Sequence, residues 1–355
     1  MEETDILLPA PGMRPGQQDP LPLPSATRRR LPGLEALRCV AALCVLALHL
    51  RAVFGGRYVF GRGYLGVDFF LMLSGYLMAR TQEARLAAGA SPWGFLLRRY
   101  GRLWPLMALG SLPGVWVQAL ALGVVSAAVW WRYALTATLN LLLLPDMQTY
   151  FAFPINIPAW TIFFELVMNA LHVLLFWRLR GGWLALVLAA LLPVVVGMAL
   201  RNNGLDVGAR PETFLLGGLR VGFAYLIGVA LYRWWRDVPV LPVPPLLAIA
   251  LMPALLPLLF ALRIWSWWPD VAFVLLVGPL MIAGALRLAP QGAPARWSTL
   301  AGQLAFPLFA FQMPILQGFH DQSWGYWPAA AAVLAVGVSG ACILAWLAAR
   351  KGTAA

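Results

Sequence analysis

Long apolar runs recur along almost the whole chain, separated by short polar segments. Each run is continuous for about 20 residues and does not alternate with polar positions, which predicts membrane-spanning helices and argues against a β-barrel. We therefore predict an all-α polytopic membrane protein with about ten transmembrane helices. The predicted spans cover residues 33–53, 64–80, 103–123, 158–177, 183–200, 214–232, 242–262, 270–287, 299–317 and 327–348.

One further apolar stretch, residues 126–147, does not fit this scheme. It contains the run TLNLLLLP but also Arg132, Asn140 and Asp146. As a full span it would invert the orientation of everything that follows. Polar groups at membrane depth are tolerated where protein or a polar cavity surrounds them. We therefore predict a re-entrant or half-inserted segment.

Composition and charge support a membrane protein with a defined orientation. The chain is 61% hydrophobic and only 11% charged, and its net charge is +12. With a cytoplasmic N-terminus, 17 of the 26 basic residues lie on the cytoplasmic side, six on the other side and three within the hydrophobic layer. This bias predicts a multi-pass protein of the cytoplasmic membrane with both termini in the cytoplasm. The pattern provides no basic face on a soluble domain, so we expect no nucleic-acid partner.

The predicted domain organisation is simple. Residues 1–27 are rich in proline and poor in large apolar residues, which predicts a disordered cytoplasmic tail. Residues 28–350 form a single transmembrane domain, and 351–355 a short cytoplasmic tail. The cysteines Cys39, Cys44 and Cys342 fall within apolar spans without metal-ligand spacing, so we expect no disulfide framework and no metal.

The first span carries two strongly polar groups, Arg38 and His49. Eleven residues are about three helical turns, so both side chains lie on nearly one face, about 16 Å apart along the axis. Ionisable groups inside a span are costly and indicate function. The pair predicts a site that runs through the membrane, although His49 by itself could be a satisfied core histidine.

Other polar residues converge on the two ends of this site. On the side of His49 the predicted topology places Asp68, Glu165 and Gln312, and on the side of Arg38 it places Glu35, Arg98, Arg99 and Arg102. Simpler interpretations stay open: Glu35 and Arg38 as an intrahelical ion pair, the arginine cluster as a topology anchor, and Asp68 as a helix cap. Arg220 could pair with a carboxylate or contact an acceptor.

Four motifs carry a resemblance to a known family. They are Arg38 to His49; the block GVDFF–SGYL within 66–77; Arg99, Arg102 and Pro105; and Trp160, Thr161 and Glu165. In their order and spacing the chain resembles acyltransferase family 3, bacterial integral-membrane O-acyltransferases that modify cell-surface and secreted glycans. Two departures stand out: Glu35-Ala36-Leu37 interrupts the usual G-L-R-A opening, and Gln312 stands where relatives often have a histidine.

The resemblance implies transfer of an acyl group, most simply acetyl, from cytoplasmic acyl-CoA to a sugar hydroxyl of an envelope or exported polysaccharide or glycolipid. His49 would be the general base, oriented by Asp68 or Glu165. Guanidinium groups suit phosphates, so the predicted donor-binding residues are Arg38, Arg98, Arg99 and Arg102. Ser74 and Gln312 are candidates for substrate or oxyanion binding.

The expected partners are the lipid bilayer, acyl-CoA, a glycan acceptor and polysaccharide biosynthesis or export machinery. Acetyl and succinyl donors, and direct transfer or an acyl-histidine intermediate, stay open at this point. A flippase or exporter of a saccharide or lipid-linked intermediate is the main alternative function. A structural protein of an envelope complex is a third.

Overall fold

The computed structural model describes residues 31–57, 59–179, 181–235, 243–288, 292–323 and 325–352, and these form helices and connecting segments without a strand. The predicted tail at 1–27, Arg28 to Arg30 and residues 353–355 lie outside the described residues. The helices are Pro32–Phe54 (α1), Leu65–Ala87 (α2), Pro92–Leu122 (α3), Ala127–Leu141 (α4), Ala159–Leu174 (α5), Gly181–Asn202 (α6), Phe214–Trp235 (α7), Pro245–Ala261 (α8), Trp268–Ala272 (α9), Gly278–Leu286 (α10), Ala293–Asp321 (α11) and Tyr326–Gly352 (α12).

The helices confirm an all-α polytopic membrane protein. Among the described residues, six helical stretches are long and apolar enough to cross a membrane: α1, α3, α6, residues 211–235, residues 268–286 and α11. The stretch 268–286 joins α9 and α10 through a π-helical turn. Shorter apolar helices are α5, α8 and residues 326–340. With α2, which has 23 residues, these stretches match the ten predicted spans.

The start of α3 differs from the prediction, which placed the apolar span from residue 103. The helix begins at Pro92 because the Ser91 side chain caps it, accepting a hydrogen bond from the Gly94 amide at 3.3 Å. Proline also suits the first helical turn. Arg98, Arg99 and Arg102 therefore lie on a helix, which fixes the directions of their side chains.

Small residues bring α2 and α7 close together. A Cβ atom at Gly75 would collide with the backbone of Tyr225, and one at Gly228 with the backbone of Met72. Such contacts are a common basis of helix packing in membranes, where neighbouring backbones must approach closely. Asp68 on α2 and Arg220 on α7 thereby face each other across a tight interface.

The predicted half-inserted segment is a short helix followed by an irregular loop. The 15-residue helix α4 ends at Leu141, and residues 142–158 continue without regular structure. The Asn140 side-chain oxygen Oδ1 accepts from the backbone amides of Ile155 and Asn156, at 3.1 and 2.9 Å. Asn156 Nδ2 donates at 2.9 Å to the Ala310 carbonyl, which lacks its helical partner because Pro314 has no N–H. Protein groups thus satisfy this irregular backbone.

An ion pair closes the same loop onto α4. The Arg132 guanidinium donates to Asp146 at 2.7 Å, and the Thr136 hydroxyl donates to the same carboxylate at 2.7 Å. The hydrogen bond from Arg132 holds the pKa of Asp146 below its usual range. Asp146 therefore fixes the loop that leads into α5.

Candidate active site

A narrow cavity of about 150 Å³ lies among α1, α2, α3, α5 and α11. We call it the arginine cavity, because Arg38, Arg99 and Arg102 line it together with Ser74 and Glu165. The rest of its wall is mostly apolar: Val67, Phe70, Leu71, Leu103, Thr161, Ile162, Gly302, Ala305, Phe306 and Phe309. The structure thus brings together residues that the sequence placed in three separate motifs.

Positive charge exceeds negative charge in the arginine cavity. Arg99 donates to the Glu165 carboxylate, which also accepts from the Ser74 hydroxyl at 3.2 Å. Arg38 is paired with Glu35 at 3.2 Å, one helical turn away. Arg102 is exposed and has no ion-pair partner within the described part of the chain. The cavity therefore offers one uncompensated guanidinium group to an anion.

Arg98 lies apart from this cavity. Its side chain is exposed on α3, and it is absent from the residues that line the cavity. A helix places successive residues about 100° apart, so Arg98 and Arg99 point in different directions. If Arg98 binds the donor as predicted, it does so at the protein surface and not inside the cavity.

A wider cavity of about 710 Å³ lies near the opposite end of α1. We call it the histidine cavity, because the half-buried His49 ring lines it. Charged or polar residues in its wall include Arg51, Asn202, Asp206, Arg210, Thr213, Gln317, His320 and Asp321, and aromatic residues include Tyr64, Phe151 and Trp160. Two arginines and two aspartates line this cavity, whereas three arginines and one glutamate line the arginine cavity.

The loop between α6 and α7 supplies polar groups that sequence reasoning missed. Asp206 lines the histidine cavity, and the surrounding protein keeps solvent away from its carboxyl group, which raises its pKa. Arg210 stacks over the Tyr150 ring, with 4.5 Å between guanidinium carbon and ring centroid. The sequence could have indicated these groups, because the loop follows a predicted span that ends on the same side of the membrane as His49.

One layer of side chains separates the two cavities. Val67, Thr161 and Phe309 line both of them. Phe309 packs edge-to-face against Phe70, with ring centroids 6.1 Å apart. The Thr161 hydroxyl donates to the Pro158 carbonyl at 2.8 Å. We call these three residues the shared wall.

The two predicted carboxylates do not contact His49. Asp68 is fully buried and accepts from Arg220 Nε at 2.8 Å and from Arg220 Nη2 at 2.5 Å. Removal of one partner of a buried ion pair typically costs about 3–5 kcal/mol, so this pair has a structural role. Glu165 belongs to the arginine cavity. The structure instead places Gln312, fully buried, beside the His49 ring.

The fold and the site together define a helical membrane protein in which a cationic cavity and a histidine-containing cavity meet at a common wall. The sequence model of the acyltransferase-domain family matches residues 31–349, and the chain belongs to this family. It is therefore a membrane acyltransferase. Protein 2 in picA locus, from Rhizobium radiobacter, is 31% identical over 178 residues, which are 46% of this chain and 91% of that relative. No solved structure matches the chain.

Proposed function

We propose that the protein transfers an acyl group, most simply acetyl, from cytoplasmic acyl-CoA to a hydroxyl group of an envelope or exported saccharide. The observation that carries this proposal is the shared wall of Val67, Thr161 and Phe309. It lets an anionic donor and a hydroxyl acceptor approach one point from opposite ends of the bundle. The chain's positive bias on one side supports a cytoplasmic opening of the arginine cavity.

The arginine cavity suits the donor by size and by charge. A volume of about 150 Å³ is too small for the nucleotide, so only the thin thioester end of the pantetheine arm would enter the cavity. The phosphates would stay outside it, where the exposed side chains of Arg102, which lines the cavity, and Arg98 could bind them. Guanidinium groups bind phosphate oxygens through paired, charge-assisted hydrogen bonds.

The thioester would then lie against the shared wall. Its carbonyl could approach Ser74 and the Arg99–Glu165 pair. These residues line the arginine cavity and are hydrogen-bonded to one another. Arg99 keeps further N–H donors when one binds Glu165, because a guanidinium has five. These groups are the candidates for stabilising the oxyanion that develops during attack.

The histidine cavity suits the acceptor. Its volume of about 710 Å³ is large enough for a sugar residue, and its wall mixes carboxylate, amide and aromatic groups. Asp206 can accept hydrogen bonds from sugar hydroxyls. Two histidines, His49 and His320, line this wall, and His49 is the one that lies on the same helix as Arg38. Its imidazole is the proposed proton acceptor.

The proposed reaction balances in atoms and charge. The His49 imidazole accepts the hydroxyl proton as the alcohol oxygen attacks the thioester carbon. The C–S bond then breaks, and the imidazolium returns the proton to the departing CoA thiolate. The products are an ester and free CoA, and the imidazole is regenerated. General base catalysis of this kind typically contributes about 10²–10⁴-fold.

Purified protein in lipid nanodiscs, given ¹⁴C-acetyl-CoA and an oligosaccharide mixture, tests this function. We expect label in the saccharide fraction, and glycan mass spectrometry would then identify the acylated residue. Donor binding and transfer that are both absent across acetyl-, succinyl- and longer acyl-CoA would overturn the proposal. Transport of an unmodified saccharide by the same preparation would instead favour the exporter alternative.

A further inference from the structure

Gln312 is a buried amide with one unsatisfied end. Gln312 is 0% exposed and is not among the residues that line either cavity. Its Nε2 atom lies 3.4 Å from the Phe309 carbonyl, to which it donates. Its Oε1 atom is buried and has no hydrogen-bond partner among the described residues. Buried polar groups in folded proteins are nearly always paired, so this oxygen requires a donor.

His49 has a matching unpaired atom. Within the part of the chain that the structure describes, its buried Nδ1 atom has no hydrogen-bond partner, whereas the ring lines the histidine cavity. Leu46 and Leu50 on α1 belong to one apolar cluster with Leu308 and Leu316 on α11, so the two helices pack directly around His49 and Gln312. The Gln312 side chain lies close enough to the imidazole to interact with it.

We infer that Gln312 is the positioning residue of His49: the imidazole Nδ1–H donates to Gln312 Oε1, and Nε2 carries its lone pair toward the histidine cavity. This inference rests on the proposed role of His49 as general base. It assigns to a neutral amide the function that a carboxylate has in many catalytic histidine sites.

The direction of the hydrogen bond follows from the neighbour of Gln312. If the amide were reversed, Oε1 would face the Phe309 carbonyl oxygen, and two acceptors would be opposed. With Nε2 on that carbonyl, Oε1 is the end that faces the ring. A neutral imidazole has one N–H, and placing it on Nδ1 satisfies both unpaired atoms at once.

A neutral partner also has a chemical consequence. Asp68 and Glu165 form ion pairs with Arg220 and Arg99. Neither carboxylate is therefore the partner of the His49 ring. An amide orients the imidazole without adding a full negative charge that would favour imidazolium. The resting base therefore stays neutral and ready to accept a proton, while one tautomer is selected.

Nitrogen-15 NMR of histidine-labelled protein in nanodiscs tests the tautomer independently of catalysis. The chain has three histidines, and loss of one signal set in His49→Gln identifies His49. We expect the Nδ1–H tautomer in the wild type and a shift toward Nε2–H in Gln312→Met, which keeps length but has only a weak acceptor. An Nε2–H tautomer in the wild type, or an unchanged tautomer in Gln312→Met, would overturn the inference.

Kinetics then tests the effect on transfer. We expect Gln312→Met to lower kcat by about tenfold or more, with the KM for the donor unchanged, because tautomer and orientation affect only the proton transfer. Gln312→Glu keeps the acceptor oxygen but adds a negative charge that favours imidazolium, so it should restore kcat to within a few-fold only at alkaline pH, where the imidazole is again neutral. The matched control is Gln322→Met, at an exposed position beyond the end of α11.

The outcomes separate the two proposals. A wild type that shows the expected tautomer but transfers no acyl group would contradict the proposed function and leave the His49–Gln312 bond established. Equal loss of kcat in Gln312→Glu and Gln312→Met at every pH, with both variants folded as judged by thermal melting, would contradict the positioning role.

Discussion

The arginine cavity and the histidine cavity share a wall but differ in size and charge. The first has about 150 Å³ and three guanidinium groups, two of them paired with carboxylates. The second has about 710 Å³ and carries both signs of charge. A narrow cationic site suits a thin anionic donor, and a wide mixed site suits a hydroxyl-rich acceptor. Under the proposed function, this difference would keep donor and acceptor apart until both reach Val67, Thr161 and Phe309.

The largest expected effect is on the histidine side. We predict that His49→Gln lowers acyl transfer by about 10²–10⁴-fold, because the proton acceptor is lost. Binding of acyl-CoA, measured by calorimetry on the same preparation, should not change, since His49 does not line the arginine cavity. Wild-type turnover in the folded variant would remove His49 from the mechanism.

Substitutions in the arginine cluster should instead weaken donor binding. Arg102→Ala should weaken acyl-CoA binding by about tenfold or more, as expected for a lost charge-assisted contact. Arg98→Ala should have a smaller effect, because its side chain lies outside the cavity wall. Arg85→Ala, at an exposed position near the end of α2, is the matched control. Equal affinity in all three variants would argue against phosphate recognition by this cluster.

The shared wall itself should control acyl length. Phe309→Ala removes the largest side chain common to both cavities. We expect the ratio of kcat/KM for butyryl-CoA to that for acetyl-CoA to rise by about tenfold, within the range by which apolar pockets discriminate such differences. Phe306→Ala is the control, because Phe306 lines the arginine cavity alone. The same rise in both variants would show that general widening is responsible.

The smallest predicted effect concerns the acceptor. Asp206→Asn should raise the acceptor KM several-fold, in line with one hydrogen bond worth about 0.5–1.5 kcal/mol. The pKa of the Asp206 carboxyl is raised by burial, with Arg220, Arg210 and Asp270 as its charged neighbours. Its ionised form is therefore lost at a higher pH than for an ordinary aspartate. The wild-type KM should rise as the pH falls through this range, and the Asn variant should not show this rise.

Much of the fold was predictable from the sequence. Continuous apolar runs predict the order of the apolar helices, and the polar residues Arg132, Asn140 and Asp146 mark a segment that forms a short helix and an irregular loop. The helix α3 begins eleven residues before the predicted apolar span, because hydropathy reports the apolar part of a helix and not its capped polar end at Ser91.

The site was only partly predictable. Motif spacing indicated Arg38, Arg99 and Arg102, and the structure places all three in one cavity. Depth along a helix could not reveal partners across the bundle, so Asp68 and Glu165 were assigned to His49 although arginines engage both. The sequence indicates Gln312 as a substrate ligand. It could not place Gln312 beside the His49 ring, because that position depends on how α1 packs against α11.

Separation of the two reagents across the membrane is the central claim, and vesicle sidedness tests it most directly. In proteoliposomes of mixed protein orientation, acyl-CoA is added outside while an impermeant oligosaccharide acceptor is either trapped inside or added outside. The two-cavity account predicts acylated product only with the acceptor trapped inside, because donor and acceptor enter from opposite faces. Product formed only when both are outside would contradict it.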